Sequence, residues 1–563
     1  CALPIFRGLQ SGYATMNPLD NTFTLSNGNL TVQSTGNYGT SSANIVVNSG
    51  EWYWEYLNTN SSNRPGGVGI DTSTYQANTT GPGGLSYYYY SYDGAGTKSI
   101  EGTQTSYGSS YTGGDTIGIA LDLDSRTISF YKNGINLGVA ATGIRTGFDY
   151  KPTIVDHSSI GAAEGTINFG QKPFKFPPPA GFQPLTLANT PRPTIVRPDQ
   201  YVGVTTYTGN GAARSITVGF QPDFVWFKGR NNTTNHQFVD SVRGTSAYLS
   251  SDLTNTEATN TTALTAFTPS GFNLGDNSNT SQRVNYAVLG DTYVAWAWKA
   301  GGSGGGNSYW VNGTGYSTAS AAGLTAGTIT PTGASVNTKS GFSIITYSGN
   351  LTTTGSATVA HGLNKAPSLI ITKSRNNSGA DTGDWAIQHS ALTSGSYILR
   401  FDTTAQSDKS GNGTLSSPTS SVFYTNYTVG LNVTGNNYVS YCWAEIPGFS
   451  KFGSYTGNGS ADGPVVITGF KPRWIMIKRT DASGTDWNLR DTSRNTYNPA
   501  NAGLFGNLGN AETTQADIDI LSNGFKQRDA GGLETNANGA TYIFAAFAEA
   551  PSINLYGAQA NAR

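Results

Sequence analysis

One strand signature occurs three times in the chain, and this repetition limits the fold more than any other feature. The copies are 219–230 (GFQPDFVWFKGR), 362–375 (GLNKAPSLIITKSR) and 469–479 (GFKPRWIMIKR). In each copy a glycine and a proline interrupt the chain, an apolar run of β-forming residues follows, and a lysine and an arginine end it. Such recurrence indicates repeated modules, so we expect three related β units in this part of the chain.

Two further motifs bound each repeat. A Tyr-x-Gly-Asn motif opens the repeats at Tyr207, Tyr347 and Tyr455. An aromatic strand pattern closes them, at 293–298, 438–443 and 542–547. No helical period extends beyond a couple of turns, so each repeat of roughly 100 residues is predicted to be all-β.

The composition favours a large, turn-dense β protein. Only 12% of the residues are charged, 72 of 563 are glycine, and 12% are aromatic. Disordered chains have few aromatics and high net charge, whereas this composition is typical of extracellular and virion β proteins. The net charge of −1 argues against nucleic-acid and anionic-membrane partners. No apolar run approaches the roughly 18 residues that a membrane span needs.

The cysteines and the start of the chain say little about function. Cys1 and Cys442 form neither a disulfide framework nor a metal site, and Cys442 lies in an apolar strand pattern that predicts a buried, unreactive thiol. The chain begins at Cys1 rather than Met and carries no signal peptide. We therefore interpret residues 1–16 as an N-terminal lead whose upstream part is missing.

Residues 17–190 have the pattern of an antiparallel sandwich with many short strands. Residues 51–56 (EWYWEY) alternate large aromatics with other side chains, as a half-buried strand does. Two more strand patterns, 116–124 and 127–131, are followed by Asn133-Gly134, a strong hairpin signal.

This segment resembles a SPRY domain. The resemblance rests on six pieces that follow the order of the family: 50–55 (GEWYWE), 68–70 (VGI), 114–118 (GDTIG), 121–124 (LDLD), 128–134 (ISFYKNG) and 168–170 (NFG). It implies a bent β-sandwich that binds partners through its loops and performs no chemistry.

The candidate ligand site of this domain is a run of tyrosines. Residues 87–90 are all tyrosine, and alternate rings on a strand face opposite sides of the sheet. Outward rings would offer platforms for sugars or proteins, so Tyr88, Tyr90 and Tyr92 are the predicted ligand-binding residues. A tyrosine-rich sheet or an oligomer contact is the alternative interpretation.

Two aspartates of the same domain invite a metal or acid–base interpretation. Asp122 and Asp124 lie on one face of a strand, but no calcium-binding loop pattern accompanies them. In SPRY domains such a pair ends a strand at a turn, which is the structural role expected here.

The lysine–arginine pairs of the repeats allow two interpretations. Each repeat has one pair: Lys228 with Arg230, Lys373 with Arg375, and Lys478 with Arg479. They bind an anionic glycan, or they snorkel or pair with acids such as Asp240 or Asp491 within the same module. Their presence in all three modules favours a shared structural role.

No motif indicates catalysis, a cofactor or a metal. The four histidines are scattered, and no nucleophile elbow, phosphate loop or metal-ligand spacing is present. A triad or a carboxylate pair assembled across the fold is invisible in a sequence. We predict a non-enzymatic protein, and a glycan hydrolase is the third-ranked hypothesis.

Residues 201–550 are similar to modules of tail-fibre-like and other virion proteins of tailed phages, many of them marine. The resemblance rests on 219–228 (GFQPDFVWFK), 240–244 (DSVRG), 291–298 (DTYVAWAW) and 313–317 (GTGYS). It implies a phage structural protein at the virion surface, in a tail fibre or spike that contacts the host. Capsid decoration and a secreted bacterial adhesin or surface-filament subunit at the cell surface are the alternatives.

These observations define the expected architecture and partners. We predict an all-β chain, a SPRY-like β-sandwich followed by three related β-sandwich-type repeats. The expected partners are other virion proteins, a host-surface glycan or protein, and further copies of the chain in a homo-oligomer. The predicted segments are the lead 1–16, the SPRY-like domain 17–190, a linker 191–200, repeat 1 at 201–300, a Gly/Ser/Ala-rich flexible linker 301–340, repeat 2 at 341–450 and repeat 3 at 451–563.

Overall fold

The computed structural model describes residues 12–551 except 35–37, 62–64, 76–83, 93, 157–162, 277–282, 288–289, 378–382, 403, 410–414, 428 and 516–517, and it leaves the side chain of Tyr92 undescribed. β-Strands dominate the described residues, which also contain one 3-10 turn, Pro198–Gln200, and no α-helix. No helix of this part of the chain is both long and apolar enough to cross a bilayer. The predicted all-β fold class is confirmed.

The described residues divide into two compact units. The first comprises residues 12–192 and Val465–Gly469, and the second comprises Pro193–Pro464 and residues 470–551.

The first unit is a sandwich of two mainly antiparallel sheets. One sheet has the order β1-β4-β13-β6-β7-β8-β9, and the other has the order β12-β11-β10-β5-β14-β3-β2 with β15 parallel to β5. Its strands are β1 Met16–Asn21, β2 Thr24–Ser26, β3 Thr31–Gln33, β4 Thr40–Ala43, β5 Glu51–Asn58, β6 Gly67–Thr72, β7 Tyr87–Tyr92, β8 Ala95–Ile100, β9 Thr103–Ser106, β10 Thr116–Asp122, β11 Thr127–Lys132, β12 Ile135–Thr142, β13 Tyr150–Val155, β14 Glu164–Asn168 and β15 Gln183–Pro184.

Alternate residues of these strands build one apolar core. Trp54 and Ile119 from one sheet and Ile70 and Ile154 from the other belong to the same buried cluster. Asn133, between β11 and β12, has a φ of 48°, which the predicted Asn-Gly hairpin requires. Residues 17–190 therefore form the β-sandwich expected from their strand pattern.

The second unit contains three modules of the same topology. The large sheet of module 1 (202–298) has the order β16-β24-β18-β19-β20-β21, that of module 2 (309–443) contains β28-β35-β30-β31-β32-β33, and that of module 3 (450–551) has the order β36-β44-β38-β39-β40-β41. The strands of module 1 are β16 Val202–Thr208, β17 Arg214–Thr217, β18 Phe224–Gly229, β19 Gln237–Asp240, β20 Gly244–Leu249, β21 Ala258–Thr259, β22 Leu264–Thr268, β23 Gly271–Leu274 and β24 Thr292–Trp298.

The strands of the other two modules correspond to these one by one in their large sheets. Strand β37 lies within Val465–Gly469 of the first unit. The remaining strands are β25 Tyr309–Val311, β26 Thr314–Tyr316, β27 Gly333–Asn337, β28 Phe342–Ser348, β29 Ser356–Ala360, β30 Leu369–Ser374, β31 Ala386–His389, β32 Tyr397–Arg400, β33 Ser407–Asp408, β34 Val422–Asn426, β35 Asn437–Trp443, β36 Ser450–Thr456, β37 Val465–Ile467, β38 Phe470–Arg479, β39 Asn488–Asp491, β40 Ala502–Phe505, β41 Thr513–Thr514, β42 Ile518–Leu521, β43 Gly524–Gln527 and β44 Thr541–Pro551.

The opening and closing motifs of each repeat pair with each other. The opening tyrosine of β16, β28 and β36 lies opposite the first tyrosine of the closing strand, and the two rings stack with centroids 5.4, 5.0 and 5.1 Å apart. The hydroxyl of the opening tyrosine donates a hydrogen bond to a backbone carbonyl in the segment that precedes the closing strand. These carbonyls belong to Val284, Leu431 and Thr535. These recurring residues therefore hold each module together.

The segment predicted as a flexible linker, 301–340, contributes three strands to a sheet. Strand β27 pairs antiparallel with β28, and β25 pairs in parallel with β27 and antiparallel with β26. The prediction of a hinge is wrong for these residues, because an open edge of module 2 supplies the backbone partners that the glycine-rich sequence lacks locally.

Candidate functional site

The three modules of the second unit meet around a pseudo-threefold axis. Trp298, Trp443 and Phe547 occupy the same register position on their closing strands. Their ring centroids form a triangle with sides of 6.1, 6.5 and 5.7 Å. The aromatic and aliphatic side chains around them leave a cavity of about 10 Å³, about the smallest volume that holds one water. The axis is thus a packed core and offers no ligand site.

Charged side chains connect module 1 to module 2. Arg375 ends the repeated strand of module 2 and binds Glu257 of module 1 with two parallel hydrogen bonds, at 2.8 and 2.7 Å. The amide of Glu257 also donates to the carbonyl of Arg375 at 2.8 Å. Burial alone would raise the pKa of Glu257, but its hydrogen bonds to arginine outweigh burial and lower that pKa.

A second arginine makes this contact a network. Arg243 is fully buried and donates to Asp240 at 2.5 Å, to Glu257 at 3.0 Å and to the hydroxyl of Tyr441 at 2.9 Å. Tyr441 belongs to module 2 and itself donates to Asp240 at 2.8 Å. Two acids and two arginines balance each other here, as buried charges must.

Module 3 contacts module 1 through the same constellation. Arg230 forms a bidentate pair with Glu512, at 3.1 and 2.8 Å, and Glu512 also accepts from Arg494 at 3.2 Å. Arg494 is paired with Asp491 at 2.5 Å, and Asp491 accepts the indole N–H of Trp296 at 2.9 Å. Trp296 takes the place of Tyr441, so the position keeps a donor although the residue differs.

The contact between modules 2 and 3 lacks this network. Module 2 differs at the positions that hold the aspartate, the buried arginine and the glutamate in the other clusters. It has His389, Leu392 and Gln406 there. The backbone pairing survives, because the amide of Gln406 donates to the carbonyl of Thr480 at 3.0 Å. Arg479 pairs only with the nearby Asp481 among the described contacts.

Ring nitrogens of the residues just before β19, β31 and β39 contribute to all three contacts between modules. Trp385 donates to the carbonyl of Ser250 at 2.8 Å, and Trp487 donates to that of Arg400 at 2.6 Å. His236 holds the equivalent position, with its Nε2 2.8 Å from the carbonyl of Phe505. Its Nδ1 accepts the indole N–H of Trp226 at 2.7 Å, which assigns the neutral tautomer with the proton on Nε2.

The repeated lysines are also buried, and two of them reach the neighbouring module. Lys228 donates to the carbonyls of Gly229 and Gly509, and Lys373 donates to those of Thr254 and Gly383. Lys478 donates to Thr485 of its own module. Burial lowers the pKa of Lys228 and Lys478 to about 8.

The cation pairs have a structural role, as their repetition indicated, but their partners differ from those expected. Their acidic partners lie mainly in the neighbouring module, so the expected pairing within a module is wrong for Arg230 and Arg375. The lysine amines are buried and form no exposed row for an anionic glycan.

The predicted tyrosine site lies on β7 of the first unit. Tyr88 and Tyr90 occupy the face opposite the core, as the alternation predicts, but both rings are buried, at 0% and 2% exposure. Tyr88 donates to Asp71 at 3.2 Å, on the same face as the buried ion pair of Lys151 with Asp20. The expected exposure of these two rings is wrong. Ligand binding there stays a prediction, and it would require the residues that bury the two rings to move.

The other candidate residues have structural environments. The side chain of Tyr92 and the whole of His157 and Cys1 lie outside the described residues. Asp122 and Asp124 accept backbone N–H groups of Ser125 and Gly50, a turn-ending role. Cys442 is a buried free thiol whose pKa burial raises. Nowhere in the described part of the chain do three or more His, Cys, Asp or Glu side chains form a group that could hold a metal ion.

Acidification is expected to destabilise the second unit through His389. Burial lowers the pKa of this imidazole from 6.5 to about 4, and its Nδ1 accepts the amide of Ala391. The unfolded chain thus takes up a proton near pH 6.5, whereas the folded chain does so only near pH 4. The His389 contribution to stability is complete above pH 6.5 and is lost as the pH falls towards 4, by about 1.4 kcal/mol per pH unit.

A His389→Gln variant isolates this effect, because glutamine keeps an N–H donor for the carbonyl of Phe544. Urea unfolding between about pH 4 and about pH 7.5 should give a shallower loss of stability on acidification than in the wild type. The comparison with the wild type is needed because burial raises the pKa of Asp223 and Asp252 to about 6, which acts in the opposite direction. Equal slopes for both proteins would refute the assignment.

Comparison with known families matches both units. The sequence model of a domain of unknown function, DUF7483, matches residues 197–551, which is most of the chain. The chain belongs to the DUF7483 family. The SPRY domain model matches residues 51–172, so the DUF7483 region follows an N-terminal SPRY β-sandwich, as the strand pattern indicated.

The curated relatives of this DUF7483 protein share only its SPRY segment. The E3 ubiquitin-protein ligase RKP of Arabidopsis thaliana is 34% identical over 166 residues, covering 29% of this chain and 12% of that protein. The ATP-dependent RNA helicase DDX1 of Xenopus laevis is 32% identical over 145 residues, 25% of this chain and 18% of that protein. Ran-binding protein 9 of Xenopus tropicalis is 33% identical over 164 residues, 27% of this chain and 29% of that protein.

Among solved structures, the SPRY domain of human HERC1 is 26% identical, with a TM-score of 0.25 and coverage of 28% of this chain and 99% of that one. The DUF7483 protein spans less than a third of the length of each curated relative named here.

Sequence reasoning missed the residues that complete the clusters between DUF7483 modules. Glu257 and Glu512 lie in polar segments without a recognisable pattern. A usable signal existed in the Asp-x-x-Arg spacing shared by Asp240 with Arg243 and by Asp491 with Arg494, which modules 1 and 3 have and module 2 lacks.

Proposed function

We propose that this chain is a non-enzymatic structural protein of a tailed-phage particle, exposed at the virion surface in a tail fibre or spike that contacts the host. In this proposal the second unit is a rigid scaffold and the SPRY domain is a partner-binding module. The protein works together with other virion proteins and further copies of itself, and its target is a glycan or a protein of the host surface.

The observation that supports this proposal most is the use of the repeated residues. The cation pairs, the acids of the Asp-x-x-Arg motifs and the aromatic closing strands are consumed by contacts within and between modules. The paired charges and packed aromatic rings of the second unit suit a mechanical role. The low charge and the glycine-rich composition of the chain agree with an exposed particle protein.

Localisation in purified particles tests the proposal. Gradient-purified virions should contain the chain in the stoichiometric amounts of a structural protein, and gold-labelled antibodies should mark the tail or its fibres. Label spread over the capsid would favour the decoration alternative instead. Recovery of the chain from host lysate and never from particles would exclude a virion role and would favour the secreted adhesin.

A further inference from the structure

One connection of the large sheet is longer in module 3 than in the other two modules. In module 1 the connection between β19 and β20 has three residues. The equivalent connection of module 2, between β31 and β32, has seven. In module 3 it has ten, between β39 and β40. Repeated residues build the modules, so the residues by which this connection is longest in module 3 need another explanation.

The added loop is held in a defined conformation. The side chain of Asn498 both donates to and accepts from the backbone of Ile520, at 3.0 and 2.8 Å. Asn495 accepts the amide of Ala502 at 2.7 Å, and the amide of Ala500 donates to the carbonyl of Ile518 at 2.7 Å. Anchors therefore lie on both sides of residues 496 and 497.

Between these anchors, Tyr497 projects into solvent. Its side chain is 79% exposed, the most exposed large hydrophobic residue among those that the structure describes. Its neighbour Thr496 is also exposed. An aromatic ring on an anchored loop loses little conformational entropy when a ligand stacks on it.

The surroundings of the ring favour a sugar over a protein. A stable protein interface buries roughly 800 Å² on each partner around a packed apolar centre. Tyr497 is a single ring flanked by hydroxyl and amide groups, and Leu533, the other markedly exposed apolar residue of module 3, lies on a different connection. One exposed aromatic face on a polar loop matches a saccharide ring, which has an apolar face and a polar edge.

We propose that Tyr497 is the stacking platform of a glycan-binding site for a neutral saccharide ring, with the exposed side chain of Thr496 next to it in the loop. The proposal rests on the proposed function and deepens it, because it names a polysaccharide as the host-surface target. It also places a contact point on the second unit in addition to the SPRY domain.

Binding of the full chain to an array of purified bacterial capsular and O-antigen polysaccharides tests this site. The wild type should bind at least one polysaccharide, and Tyr497→Ala should weaken that binding by about tenfold or more. Tyr497→Phe keeps the ring and should stay close to the wild type. Leu533→Ala is the matched control, because it removes another exposed apolar side chain, 60% exposed, from the same module, and it should change nothing.

Two results would overturn the glycan site. One is wild-type binding that Tyr497→Ala leaves intact, and the other is a wild type that binds no polysaccharide on the array. Neither result bears on the virion localisation experiment, so the site fails alone if particles contain the chain. If particles lack the chain but the array result holds, the glycan site stands and the phage role falls.

Discussion

Replacing Arg243 by methionine is expected to lower the free energy of unfolding of the second unit by about 3–5 kcal/mol. The guanidinium is fully buried and satisfies Asp240, Glu257 and the carbonyl of Phe238 at once. Methionine has a similar volume but no donors, so two carboxylates would lose a partner while Asp240 stays buried. Removing one member of a buried ion network costs more than the network contributes net, because the remaining charges stay desolvated.

Urea denaturation, monitored by tryptophan fluorescence, measures this loss. Arg479→Met is the control, because Arg479 belongs to the equivalent strand of module 3 but pairs locally with Asp481, and such a pair near the surface is worth about 0–1 kcal/mol. Arg494→Met, the counterpart of Arg243 at the other cluster, should match the large effect. Similar small losses for all three variants would contradict the idea that the clusters hold the modules together.

Truncating Trp298 to alanine is expected to destabilise the second unit by about 3–5 kcal/mol and to affect all three modules. Its ring is buried on the pseudo-threefold axis and contacts Trp443 of module 2 and Trp474 and Phe547 of module 3. A cavity at this point removes contacts from every module, because each supplies one side of the axis. The three modules should therefore respond as one cooperative body.

Hydrogen–deuterium exchange separates this outcome from a local one. Protection should fall in β30 and β38, in modules 2 and 3, as well as in β18 of module 1. Tyr497→Ala is the control, since a surface substitution of this kind is expected to change stability by less than about 0.5 kcal/mol. Loss of protection confined to module 1 would mean that the modules unfold independently.

The distribution of the ion clusters follows the connectivity of the chain. Modules 2 and 3 are joined by only six residues, between β35 and β36, and their contact has no ion network. The contacts that do have one join module 1 to module 2, across the ten residues between β24 and β25, and to module 3, without any direct connection. A short connection keeps two modules at a high effective concentration, so we interpret the network between modules 1 and 3 as selecting the correct partner where the chain supplies no such help.

The sequence predicted the local structure of the repeats well. The apolar runs of the three signatures became β18, β30 and β38, and the closing aromatic patterns became β24, β35 and β44. The hairpin at Asn133-Gly134 also formed as expected. These features depend on backbone preferences and on the alternation of side chains along a strand, which neighbouring residues determine.

Tertiary structure decided what the sequence left open or made misleading. The alternation placed Tyr88 and Tyr90 on one face but carried no information on what covers that face, and both rings are buried. The glycine-rich segment 301–340 looked flexible in isolation, yet β27 gains its hydrogen bonds from β28.

The cation-ended strand illustrates the same division most clearly. Its glycine, proline and apolar residues determined by themselves that a strand would form and recur. Two of its three arginines, however, find their acidic partners 118 and 282 residues away in the chain, at Glu257 and Glu512. A strand forms from interactions between near neighbours, whereas an ion pair across modules exists only once three separate sheets have packed around a common axis, because packing alone brings those side chains together.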